Sequence, residues 1–142
     1  MNALAASLLA AGELVCEFTD GYRKSLIAAI AGDPPQAERT LLYDAITSDS
    51  ARVLDTQLTG RKPVHIRTDP QHVHLIQRDG PTVRVTTLTD CTRTSLTTDL
   101  CTRFTARHAW HFDTSALLDP ASSFSSQPSG AATGTCEPWR VD

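Results

Sequence analysis

The sequence predicts an all-β, antiparallel fold: a meander closed into a small barrel or a compact sandwich. Three observations carry this. Five short segments follow one another between Leu41 and Leu88, namely LLYDAITSD, ARVLDTQL, PVHIRT, HVHLIQ and TVRVTTL. Most alternate apolar and polar residues and are rich in β-branched side chains, as half-buried strands are. Ser48-Asp49, Thr59-Gly60, Asp69-Pro70 and Asp79-Gly80 sit at or beside the joints, and these are turn-forming pairs. The turn signals recur at roughly 8–12 residues, a spacing that predicts about seven to nine strands.

Taken in order, residues 1–12 open the chain with an Ala/Leu stretch from Ala3 to Ala11. The stretch reads two ways. Its apolar core and small residues resemble a secretory signal, but no Lys or Arg precedes it. Its composition fits a short Ala-rich helix of the folded protein equally well. Residues 13–142 form one β-rich domain. LVCEFT (14–19) is the first strand, ending at a turn at Asp20-Gly21. YRKSLIAAIAG (22–32) fits either a strand or a helical turn, and Gly32-Asp33-Pro34-Pro35 breaks it. After the meander, Thr92–Asp99 is a Thr-rich hairpin loop. CTRFTARHAWHF is then a strand with Phe104, Ala106, His108 and Trp110 on one face by period two. DPASSFSSQPS (119–129) is a Pro/Ser-rich loop, and AATGTCEPW is the last strand.

Composition excludes several function classes. A chain of 142 residues with formal net charge -3 has the length of one domain with a real core. Its basic residues never exceed two in a row (Arg23-Lys24, Arg61-Lys62), so no phosphate-tracking face is expected and nucleic-acid binding is disfavoured. No apolar run reaches the length of a spanning helix, and no membrane span is expected.

The four cysteines, Cys16, Cys91, Cys101 and Cys136, form no C-x-x-C pair, which disfavours a zinc ribbon. Cys91 ends one expected strand and Cys101 begins the next. Cys16 lies in the first strand and Cys136 in the last, and a closed sheet makes those strands neighbours. Both pairs are disulfide candidates, which would favour a periplasmic or secreted location over a cytoplasmic one. The other reading is four buried free thiols.

His74-Leu75-Ile76-Gln77, Val83-Arg84-Val85-Thr86-Thr87-Leu88, Ala106-Arg107-His108 and Gly134-Thr135-Cys136, with the early Cys16, resemble the motif series of a family of small uncharacterised bacterial β-rich proteins. Cys91, Cys101, Gln77 and the long Ser-rich stretch depart from that pattern. The resemblance implies a β-rich, exported domain and no particular activity.

Candidate site residues are sparse. His72 and His74 fall on one face of a strand, with His65 on the strand before. Three imidazoles suit zinc, yet solvent-face histidines beside a turn are common, so no metal and no cofactor is expected. His108, Asp113 and many serines lack a G-x-S-x-G elbow, and there is no glycine-rich phosphate loop. Arg107 and His108 beside Trp110 form the most unusual local cluster. Phe104, Arg107, His108 and Trp110, with His74, are therefore the expected ligand contacts, against a plainer reading in which Arg107 faces solvent while His108 and Trp110 pack in the core. The functional expectation is a non-catalytic binding domain holding a small apolar or amphipathic ligand, as lipocalin-like barrels do. The alternatives are a structural protein that meets a protein partner through a sheet edge or loops, and third a small enzyme.

Overall fold

A computed structural model of the protein describes residues 2–20, 37–55, 60–112 and 130–139. The segment 22–32, the Pro breaker after it, Asp113 and the Ser-rich stretch 119–129 lie outside the described residues. The elements are a helix α1 (Ala3–Ala11) and strands β1 (Leu14–Asp20), β2 (Ala37–Asp44), β3 (Ser50–Asp55), β4 (Arg61–Thr68), β5 (Val73–Asp79), β6 (Thr82–Thr94), β7 (Cys101–Phe112) and β8 (Gly130–Pro138).

Each strand pairs antiparallel with the next, and β8 pairs with β1, so the eight strands close into an up-and-down barrel. Closure removes the free sheet edge that an open meander would expose. Three strand limits differ clearly from the sequence expectation, one being the start of β2 at Ala37 rather than Leu41. The segment LLYDAITSD is a strand only to Asp44: Ala45 takes a left-handed φ of 51°, and the Thr47 amide and hydroxyl both bond the Ser50 carbonyl, at 2.8 and 3.2 Å, making 45–49 a turn. Conversely β6 runs on to Thr94, through register shifts against β7, and leaves a shorter loop closed by Ser95 N–H on the Leu100 carbonyl at 2.8 Å.

The pairings fix which side chains enter the barrel. Leu14, Cys16 and Phe18 of β1, Leu41 and Tyr43 of β2, Val53 of β3, Val64 and Ile66 of β4, and Val73 and Leu75 of β5 are buried core. Leu88 of β6, Cys101, Phe104 and Ala106 of β7, and Ala132 and Cys136 of β8 belong to it too, as does Ala51 of β3. Val53, Val64, Ile66, Val73 and Leu75 are thus inward, as the alternation suggests. Val83 and Val85 fall on the opposite parity, although Val83 is itself buried at 7% exposed. Leu75 pairs with Thr86 and Val73 with Leu88, so the even-numbered residues of β6 face in and its valines face out. Gly134 of β8 lies tight against β1: a Cβ there would overlap the Glu17 carbonyl and approach the Phe18 Cα at 2.9 Å. Only a residue without a side chain permits that approach.

The N-terminal helix closes one end of the barrel. Asn2 caps it, with Oδ1 accepting the Ala5 amide at 2.7 Å, and Gly12 ends it at a left-handed φ of 75° with its N–H on the Leu8 carbonyl. Leu4, Ala5 and Leu8 join the barrel core, and the buried Ser7 hydroxyl accepts the Cys101 amide at 2.8 Å. Asn2 Nδ2 also donates to the carbonyls of Asp69 (2.7 Å) and His72 (3.0 Å), fastening the helix to the β4–β5 turn.

Both expected disulfides are present. Cys16–Cys136 joins the first and last strands across the barrel seam, and Cys91–Cys101 ties the β6–β7 hairpin. Two disulfides fit an oxidising environment. Among the described residues no helix is long and apolar enough to cross a membrane.

Candidate functional site

The barrel interior changes character along its axis. At the helix-capped end the inward residues are Leu14, Tyr43, Ala51, Ile66, Val73, Leu88 and Cys101, nearly all apolar. At the opposite strand ends the inward positions of four successive strands are Asp55, Lys62, Gln77 and Arg84, followed by Trp110 of β7 and Gly130 of β8. Asp55 and Gln77 are 2% and 4% exposed. The Arg84 Nε is also buried, as is the Gln77 Nε2, which has no hydrogen-bond partner among the described residues. Buried polar groups carry a desolvation cost that aliphatic residues at the same positions would not.

Between the two halves runs a buried polar chain. Thr86 Oγ1 lies 2.7 Å from Tyr43 Oη and 2.9 Å from His108 Nδ1. The His108 ring sits between Phe18, centroid distance 5.2 Å, and Trp110, 5.9 Å. The Trp110 indole lies over Gly130, where a Cβ would approach ring atom Cε2 at 2.7 Å. A glycine at this position makes room for the indole inside the barrel.

The residues singled out from the sequence divide between two faces. Phe104, His108 and Trp110 point inward. Arg107 and His74 are on the outer surface, in register with Thr87 between them. They cannot line one wall with His108, because neighbours along a strand alternate sides. Arg107 is exposed, as the plainer reading has it, while His108 is buried and half-buried Trp110 packs against the core. Sequence reasoning missed Asp55, Gln77, Arg84 and Thr86. The signal was available in β5, where Gln77 continues the Val73, Leu75 face with a polar residue.

His74 has different company on the outside. Asp69 opens the β4–β5 turn, and its Oδ1 accepts the amides of Gln71 and His72, each at 2.8 Å. His72 Nδ1 is 3.1 and 3.2 Å from the two carboxylate oxygens, and His74 Nε2 is 3.1 Å from Oδ2. His74 Nδ1 in turn meets Thr87 Oγ1 at 3.0 Å. The Asp69 carboxyl is held well below the usual carboxylate range, chiefly by the Gln71 amide and then by the His74 ring, with partial loss of hydration opposing and the ring and amide of His72 adding to it. His65 does not belong to this group; it is exposed and pairs with Ser50 and Ile76. The outer arginines Arg52 and Arg61 are both paired with Asp44, and Arg103 with Glu137, so these three add no unpaired basic patch.

Comparison with protein-family models, with the curated proteins and with the solved structures finds no match to this chain. The class that fold and site define is therefore an eight-stranded, helix-capped, disulfide-linked barrel with a polar inner end. The motif resemblance noted above assigns no family.

Proposed function

We propose that the protein is a non-catalytic binding domain that holds a small amphipathic ligand at the barrel end opposite the helix. Apolar surface of the ligand would lie against Trp110. Its polar groups would meet Gln77 and Arg84, with Asp55 and His108 flanking. One observation carries the reading: among the described residues the inward positions at that end are mostly polar or aromatic, whereas those of the helix-capped half are nearly all apolar. Ligand sites combine apolar walls with a few convergent polar groups in this way, and β-barrels commonly present them at one mouth. The buried Gln77 amide supports it, since a buried donor gains most from a partner. The closed sheet argues against a partner protein added at a strand edge. An exported location, periplasmic or secreted, follows from the same reading of the two disulfides.

Fluorescence titration tests it. In a Trp139→Phe background the remaining signal comes from Trp110. An amphipathic small-molecule panel is expected to include a compound that shifts the emission saturably, and Gln77→Leu with Arg84→Met is expected to abolish the shift while the barrel stays folded. A panel with no saturating member, or a shift unaltered in that double variant, refutes the site.

A further inference from the structure

We infer that Asp69, His72 and His74 form a binding site for a zinc-class divalent cation on the outer face of the barrel. The inference is independent of any ligand inside it. One ligand atom from each side chain can be chosen so that all three lie within 4.8 Å of one another. Zinc bonds to imidazole nitrogen and carboxylate oxygen at about 2.0–2.2 Å, so an ion between the three donors needs only small side-chain rotations. Two imidazoles with one carboxylate suit zinc, copper or nickel and suit calcium or magnesium poorly, since those take oxygen ligands.

The donors are held in place beforehand, which distinguishes them from a chance surface cluster. Asp69 Oδ1 is engaged by the amides of Gln71 and His72, which turns Oδ2 toward the two rings. His74 stands on β5, and its second ring nitrogen meets the Thr87 hydroxyl on β6 at 3.0 Å. A metal on Nε2 would replace the proton that this nitrogen otherwise donates to Asp69 Oδ2; the remaining ring proton then sits on Nδ1 and donates to the Thr87 hydroxyl, the outer-shell arrangement that metal-binding histidines use. The turn itself is fastened by the Asn2 amide to the carbonyls of Asp69 and His72. The ligating side chains remain 31–43% exposed, and a groove of about 500 Å³ bordered by Asn2, Gln71, His72 and Asp90 opens beside them. An ion can reach the site from solvent and keep water in its remaining positions.

The test is a zinc titration of the untagged, fully oxidised chain at neutral pH, by calorimetry and by competition with a chromogenic chelator, repeated with cobalt to read coordination from its visible spectrum. The expected result is one zinc per chain at micromolar affinity and a cobalt spectrum of low coordination number. His74→Ala is expected to abolish binding. Asp69→Asn, which retains an oxygen to accept the turn amides, and Thr87→Val, which touches only the second nitrogen of His74, are each expected to weaken it by about tenfold or more. Urea midpoints confirm that each variant is folded. Millimolar or non-saturating binding by the parent, or binding unchanged in folded His74→Ala, overturns the inference.

Discussion

The two disulfides cross-link very different lengths of chain, so removing each has a distinct, calculable effect. Cys16 and Cys136 are 120 residues apart, Cys91 and Cys101 only 10. On the loop-entropy model the first bridge stabilises by about 4.9 kcal/mol and the second by about 2.7 kcal/mol. Cys16 and Cys136 are both 0% exposed, so replacing that pair by alanine also leaves unfilled core volume, a further cost of about 1 kcal/mol. Cys91 is exposed while Cys101 is buried core, so the hairpin pair loses packing at one thiol rather than two. For 142 residues the unfolding entropy is about 0.3 kcal/mol/K, so the hairpin pair is worth about 9 °C in Tm and the seam pair about twice that. Urea unfolding of the paired Cys→Ala variants, followed by circular dichroism, measures both losses. The seam variant should also expose more surface on unfolding and show a larger m-value. Equal losses in the two variants, or a larger loss in the hairpin variant, would refute the assignment of the seam bridge as the main covalent constraint on the barrel.

Gly134→Ala is expected to lower stability by about 3 kcal/mol, because backbone of β1 blocks its Cβ, whereas Gly130→Ala meets only the Trp110 ring and should cost less; urea midpoints compare the two. Thr86→Val keeps the shape but removes the hydroxyl that bonds Tyr43 and His108, for a loss of about 2 kcal/mol in the same assay. Leu8→Ala should cost about 3 kcal/mol, since Leu8 is 1% exposed and plugs the barrel end; a neutral result would mean that the helix is not part of the cooperative core. The Asp69 carboxyl is depressed in the folded protein. Its stabilising effect is therefore fully present above the unfolded carboxylate range and is lost progressively as pH falls from that range through the lower folded value. An NMR titration should show the Gln71 and His72 amides unmoved through pH values at which ordinary aspartates titrate, and a step in that ordinary range would contradict the turn geometry.

Much of the fold was legible because turn chemistry is local. Asp79-Gly80 and Asp69-Pro70 mark their hairpins whatever the tertiary context, and the wide cysteine spacing becomes two bridges once the sheet closes. The facing of β6 was not legible. VRVTTL offers valines on one parity and Arg84, Thr86 and Leu88 on the other, and hydrophobicity favours the valines. The register with β5 decides against them, and register is a property of the pair. For the same reason the polar inner end was hidden: Asp55, Gln77 and Arg84 read as solvent-facing until their partners are known. The outer site was half visible. His72 and His74 share a face by period two, but the third member is Asp69, which the sequence presents only as a turn former. His65, the expected third, lies on the preceding strand away from it.

The most direct measurement of the central claim is native mass spectrometry of the oxidised, full-length chain purified gently from its own host. A ligand-holding barrel predicts a small organic species carried with the folded protein, released on denaturation and lost in the Gln77→Leu, Arg84→Met variant. The bare chain mass from every preparation, with both disulfides intact and the barrel folded, would contradict it.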